Sequence, residues 1–195
     1  MVQDPKGRLI PRLKHDRRTK KAVAGDREVS LLEFLDSTQL NCLNEAPQHG
    51  IKKILSRGKT ISDSFLKSDV DEQLLLNIYF NQAVRVRSIA IQSLDLASGP
   101  KDIKLFTNKP SIGFEDVEDD QEAAQILSLT RDDVTDRKKI PLKFVRFQSV
   151  NSLHVFVASN QGGEEETRID SLNIFGVPVH ATKDLRELRK APEEQ

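Results

Sequence analysis

An all-β sandwich with a short helical segment in front is the fold class this sequence predicts. Three observations carry it. From Leu74 onward, short runs of alternating or β-branched apolar residues recur, seven or eight in all, at the spacing of a sandwich. Turn signals separate them, among them Asn81-Gln82, Gly99-Pro100, Asn108–Pro110 and Gly162-Gly163. Most of the connections are also too short for the crossover helix that parallel strands require.

The elements follow in chain order. Ser30 and Glu33 have the spacing of a capping box, and Leu31, Leu32, Phe34, Leu35, Leu40 and Leu43 give an apolar face. This predicts a short helix or two helical turns. Cys42 lies among these leucines and reads as a small buried hydrophobe. His49-Gly50 is a turn. Leu74–Phe80 is apolar on much of both faces, as a central strand would be. Asn81-Gln82 predicts a tight hairpin to a second strand, Val84–Gln92. Along that strand Arg85 and Arg87 give way to Ile89 and Ile91 on one face, so one end is exposed and the other covered. Further strands are expected around Ile103–Phe106, Ala124–Leu129, Leu142–Gln148, Leu153–Ala158 and Thr167–Phe175. Phe114–Glu122 reads as an acidic loop and Arg131–Lys139 as a charged connection. A short helix is expected within Lys183–Gln195.

The chain has 195 residues, with Lys+Arg 30 against Asp+Glu 30. That suits one domain with tails: a basic arm over 1–28, an ordered domain over 29–180 and a charged tail over 181–195. The balanced charge gives no field that argues for nucleic acid or an anionic membrane. No apolar run reaches the roughly 18–20 residues of a membrane span. The single cysteine cannot form an intramolecular disulfide, which suits a reducing compartment, and a cytoplasmic and nuclear location is expected. Lys14–Lys21 is dense in basic residues and reads as a linker or as a localisation patch. A monomer is expected, since no heptad pattern is present.

Two blocks resemble a known family. Ile140–Val179 carries Phe147-Gln148, Val150-Asn151-Ser152-Leu153, Asn160-Gln161-Gly162 and Thr167-Arg168-Ile169. Phe65–Ile91 carries Ser68-Asp69-Val70-Asp71-Glu72-Gln73-Leu74-Leu75. With Leu40–Glu45, Gly99-Pro100-Lys101 and Phe114-Glu115-Asp116, they resemble the PITH domain, the C-terminal module of proteasome-interacting thioredoxins. The resemblance runs from roughly Leu35 to Val179. It implies a jelly-roll sandwich of the galactose-binding-like type and a non-catalytic protein-interaction module. It also implies docking on the regulatory particle of the 26S proteasome. In the fused members a thioredoxin domain with a C-x-x-C motif precedes this module. One cysteine makes no dithiol couple, so disulfide reductase activity is not expected of this chain alone, and a thioredoxin in trans is one partner open to it. The chain then reads as a stand-alone member, or as a fragment of a fusion.

The candidate site residues fall in two groups. Glu164, Glu165 and Glu166 follow two glycines at a strand connection and form a local negative field, the first candidate for partner binding. Asp69, Asp71 and Glu72 are a carboxylate cluster. They read as turn chemistry before a strand, as part of an oxygen-ligand set for calcium, or as a structural clamp closed by Arg168, whose fork fits a carboxylate. No cofactor is expected. His15, His49, His154 and His180 lack zinc-ligand spacing, so no metal site is assigned. No nucleophile elbow or phosphate loop is present. A sugar-binding jelly roll is the alternative function, although Tyr79 is the only tyrosine and there is no Trp. A carboxylate-based enzyme at Asp69, Asp71 and Glu72 is a third reading.

Overall fold

A computed structural model of the chain describes residues 2–3, 9–10, 28–55 and 64–179. Its strands are Val2–Gln3 (β1), Leu9–Ile10 (β2), Val29–Ser30 (β3), Asn41–Leu43 (β4), Leu66–Lys67 (β5) and Leu74–Gln92 (β6). Asp102–Thr107 (β7), Gln125–Ser128 (β8), Ile140–Pro141 (β9), Val150–Val157 (β10), Arg168–Ile169 (β11) and Ser171–Pro178 (β12) follow. Two single-turn helices, Ile51–Ile54 (α1) and Arg131–Thr135 (α2), complete the elements used below. The Lys183–Gln195 helix, the Lys14–Lys21 cluster, His15 and His180 lie outside the described residues.

The organising element is β6. It has 19 residues, and a straight strand of that length would span roughly 60 Å. Yet both of its ends meet one short segment. The Glu72 carbonyl, just before β6, accepts the Thr167 hydroxyl at 2.6 Å, and the Gln92 carbonyl accepts the Asp170 amide at 2.8 Å. Thr167 and Asp170 are at most roughly 11 Å apart along the chain. The strand therefore folds back, and the exposed Asn81 and Gln82 sit at its middle.

The halves of β6 pair mainly with different strands, β10 alone touching both through a Val150–Val84 pair beyond a register shift. Leu74–Tyr79 pairs with β10 and, over Leu75–Asn77, with β4; β10 in turn pairs with β7, and β7 with β8. Val84–Gln92 pairs with β12, and β12 with β3; β9 lies on the other side of that half. All these pairings are antiparallel. The result is two layers joined through one bent strand. This corrects the expected hairpin at Asn81-Gln82: the chain does reverse there, but its two arms pair with other strands.

The core fills the space between the layers. Leu74, Leu76 and Ile78 of one half, Val84, Val86, Ile89 and Ile91 of the other, and Leu153, Val155 and Val157 of β10 all belong to one buried cluster. Each such side chain contributes about 1.5–3 kcal/mol on burial. Leu75, Phe106 and Phe156 point to the opposite face, where Ile112 and Val117 cover them. That second small core is why Leu74–Phe80 is apolar on both faces.

On the same outer face a polar row crosses the sheet. Asn41 Oδ1 accepts from Asn77 Nδ2 at 2.9 Å, which turns Asn77 Oδ1 toward His154 Nδ1 at 2.7 Å. His154 Nδ1 must then carry the hydrogen, because an amide oxygen only accepts. Its Nε2 lies 3.1 Å from Ser152 Oγ. Burial lowers the pKa of His154 below its ordinary value. Nε2 also lies 3.1 Å from the Lys109 carbonyl, so the buried ring is enclosed by polar neighbours on both edges and is a structural residue.

Three other expectations are corrected. Ser30 makes no capping bond; its hydroxyl donates to Asn173 Oδ1 at 2.8 Å, and Leu31–Phe34 is a 3-10 turn. Leu40 and Leu43 do not extend a helix, since Asn41–Leu43 pairs with β6. The alternation over Leu142–Gln148 is not a strand. Phe144–Arg146 form a 3-10 turn, with Leu142 and Phe147 buried on either side and Phe144 and Val145 in solvent. Cys42 is buried as expected, and desolvation pushes its thiol pKa far up, which leaves it neutral.

Candidate functional site

Four connections meet at the end of the sandwich opposite Asn81-Gln82. They are the segment after β4, the Asp69–Gln73 loop, the Ser93–Gly99 loop and the Asn160–Thr167 loop. Each is tied to a neighbour by named bonds. Asn44, with φ 62, sits in the left-handed region that Asn tolerates. Its Nδ2 donates to Asp71 Oδ1 at 2.8 Å and to the Gln73 carbonyl at 2.7 Å, and its Oδ1 accepts the Val70 amide at 3.0 Å. Asp71 Oδ1 also accepts the Gln73 amide at 3.0 Å, a turn-forming bond.

The Asn160–Thr167 loop is fixed in the same way. Asn160 Oδ1 accepts the Glu164 amide at 2.8 Å, and its Nδ2 donates to the carbonyls of Glu164 at 2.8 Å and Glu166 at 3.2 Å. The Gly162 amide reaches the Ala97 carbonyl at 2.7 Å. A Cβ on Gly162 would lie 3.0 Å from that alanine, so the close approach requires glycine. The amide of the buried Thr167 donates to the Ser68 hydroxyl oxygen at 2.8 Å. One asparagine thus shapes each acidic loop from within.

Glu164 and Glu165 are exposed on this rigid backbone. Glu166 differs: it is half-buried and pairs with Lys67 at 2.6 Å. The expected tip is therefore two free carboxylates and one engaged one.

Arg168 does not close the expected clamp on Asp69, Asp71 and Glu72. Its guanidinium grips Asp170, with Nη2 to Oδ1 at 2.6 Å and Nε to Oδ2 at 3.1 Å. Asp170 Oδ2 also accepts the Leu94 amide at 2.8 Å. The guanidinium carbon sits 3.9 Å from the Phe65 ring centre, and the His49 ring stacks on Phe65 at the same distance. Two groups that close to one centre occupy opposite faces. Arg168 is thus held by a carboxylate and an aromatic ring within its own part of the structure. Sequence reading missed Asp170, although residues two apart on a strand share a face, so Arg168-x-Asp170 carried the signal.

The outward surface of this end is acidic and partly apolar. Asp69, Asp71, Asp95, Glu164 and Glu165 are exposed, alongside Val70 at 83% and Leu94 at 59% exposure. Two cations of this end, Lys67 and Arg168, are engaged by Glu166 and Asp170. No group of three or more metal-ligating side chains is arranged for a metal ion among the described residues. What the arrangement can do is present fixed negative charge and apolar contact to a partner.

Comparison with known proteins now fixes the family. The model of the PITH domain matches residues 21–193. The chain belongs to the PITH domain family. Thioredoxin-like protein 1 of Schizosaccharomyces pombe is 42% identical over 77% of the chain and 52% of its own length. PITH domain-containing protein 1 of Danio rerio is 34% identical over 76% of the chain and 70% of its length, and that of Homo sapiens 33% over 67% and 61%. The chain thus spans about half of the first relative. Membership supports a protein-interaction module.

The fold is similar to solved jelly rolls. The family 32 carbohydrate-binding module of Clostridium perfringens NanJ, in complex with galactose, superposes with a TM-score of 0.56 at 11% identity, covering 76% of this chain and 99% of that one. A second such module, from a family 31 glycoside hydrolase of the same organism, gives 0.52 at 14%, covering 74% and 96%. The PITH domain of this chain is therefore a galactose-binding-like jelly roll, as the sequence resemblance implied.

Proposed function

We propose that this PITH domain docks on the regulatory particle of the 26S proteasome through its acidic loop end. The observation that supports the reading most is the pair Glu164 and Glu165, exposed on a loop whose backbone Asn160 already holds. A preorganised loop loses little freedom on binding, so its charges contribute affinity at low entropic cost. Val70 and Leu94 on neighbouring loops would supply apolar contact. The partner surface would then be basic, with apolar side chains between its charges. On this reading the protein works as a monomer without a cofactor, in cytoplasm and nucleus.

The test is recovery of proteasome subunits on the tagged chain from lysate at moderate salt, with and without E164K/E165K. Both residues are exposed and tied only through their backbone, so the variant should fold normally. Loss of regulatory-particle subunits on the variant is expected, by at least about tenfold for two reversed charges at an interface. Equal recovery on both proteins would reject this surface.

A further inference from the structure

The other end of the molecule carries a surface of opposite character. The Phe144–Arg146 turn projects two adjacent apolar side chains into solvent, Phe144 at 52% and Val145 at 81% exposure. Its backbone is firmly placed. The Lys143 amide donates to Gln125 Oε1 at 2.7 Å, the Arg146 amide to the Lys143 carbonyl at 3.0 Å, and the Val86 amide to the Phe147 carbonyl at 3.0 Å. Leu142 and Phe147 anchor it in the core. Exposure here is thus a property of the fold rather than of a loose loop.

Cations surround these two side chains. Lys143 and Arg146 are exposed on the turn itself. Arg85, from the neighbouring half of β6, lies with its guanidinium carbon 5.8 Å from the Phe144 ring centre. Its Nε is buried and has no hydrogen-bond partner among the described residues. Arg85 as a whole is only half-buried, and a planar fork matches one carboxylate.

We propose that this ledge is a second docking surface, which binds an acidic peptide segment of a partner protein. An apolar side chain of the segment packs on Phe144 and Val145, and a carboxylate meets Arg85 and Arg146. Aromatic and arginine side chains are the usual anchors of such interfaces. Three cations are too few for a phosphate track or an anionic lipid surface, which draw on larger basic clusters. The inference rests on the ledge alone and does not depend on the proteasome reading.

The test is fluorescence anisotropy of the full chain with four labelled probes. They are a short peptide alternating Leu and Glu, its Leu and Lys counterpart, a single-stranded RNA, and vesicles of phosphatidylserine with phosphatidylcholine. Binding of the Leu and Glu peptide is expected, weakening with salt, and any binding of the Leu and Lys peptide, which suits the acidic loop end, should be insensitive to changes at the ledge. F144S/V145S and R146E should each weaken it about tenfold or more, while E164K/E165K leaves it unchanged. R85K, which keeps the charge and loses the fork, should weaken it less than R146E. Thermal melts of the variants confirm that they fold. No binding of the Leu and Glu peptide overturns the proposal, as does an equal loss of Leu and Lys peptide binding in F144S/V145S. Preference for RNA or vesicles, or full binding by folded F144S/V145S, also overturns it.

Discussion

At the loop end of the sandwich, polar side chains tie several loops to one another; at the ledge near the bend, apolar anchors hold the turn, with side-chain bonds from Gln125 and Asn108 at its margins. Asn44, Asn160 and Asp170 each bond two or more neighbouring loop groups from a side chain. The bend end has one such residue in Asn108, whose side chain donates to the Ser149 carbonyl and accepts the Asn151 amide, each at 2.8 Å, but at the ledge Leu142 and Phe147 plug into the core and the turn between them is left outside. The charges differ as well: carboxylates face outward at one end, and Lys143, Arg146 and Arg85 gather at the other. The same β6 reaches both. A strand scaffold can thus carry two unlike surfaces, provided each is braced by the means its own sequence supplies.

Glycine substitution tests this contrast most sharply. Gly176, near the bend end, would place a Cβ 2.0 Å from the Arg85 carbonyl oxygen. That contact is with backbone on the adjacent strand, which cannot turn aside. G176A should cost roughly 3–5 kcal/mol or prevent folding, read from urea denaturation. A loss under about 1 kcal/mol would mean that the strands separate more easily there than their close packing implies.

Next in size is the polar brace. Asp170 is 3% exposed at its side chain and serves both Arg168 and the Leu94 amide. D170N should cost about 2–3 kcal/mol, because one acceptor position becomes a donor beside a guanidinium that is itself partly in water. It should also speed amide exchange at Leu94 and in the Ser93–Gly99 loop while leaving the Phe144–Arg146 turn unchanged. Equal change at both ends would show that the two are not braced separately.

The smallest effect is on pH. His154 has a folded pKa below its ordinary 6.5, chiefly from burial. The unfolded chain then binds the proton more readily, so stability rises with pH between the folded and unfolded values. The contribution is complete above about pH 6.5 and is lost as pH falls from there toward the folded value. The melting temperature should therefore drop between pH 7 and pH 5, and H154N should flatten that slope whatever its overall stability. An unchanged slope in the variant would assign the dependence to other groups.

Much of the fold was legible because its strands obey simple rules. The alternation in Leu153–Val157 and the double-faced run at Leu74–Phe80 reported the two cores directly. Asn81-Gln82 was legible as a reversal, but local residues cannot say which strands each arm will meet, since those partners lie far along the chain. Leu142–Gln148 misled for a physical reason. Alternation marks burial only where a second layer covers the face, and Phe144 and Val145 have no such cover. At the candidate site the acidic residues were visible, but the side chains that shape them were not. Asn44 and Asn160 act through backbone groups, and such bonds leave no charge pattern to read. Arg168 was paired by charge to the wrong carboxylates, when the two-residue spacing to Asp170 already favoured the nearer one.

The bent strand also governs when this domain can come into being. Leu74 pairs with Val157 and Gln92 with Ser171, partners about eighty residues later in the chain, and such non-local closures are slow steps. Neither half of β6 can be completed by what precedes it. A growing chain that has already emitted β6 must therefore wait, with that strand uncovered, until β12 emerges, which exposes the chain to wrong pairing in the interval.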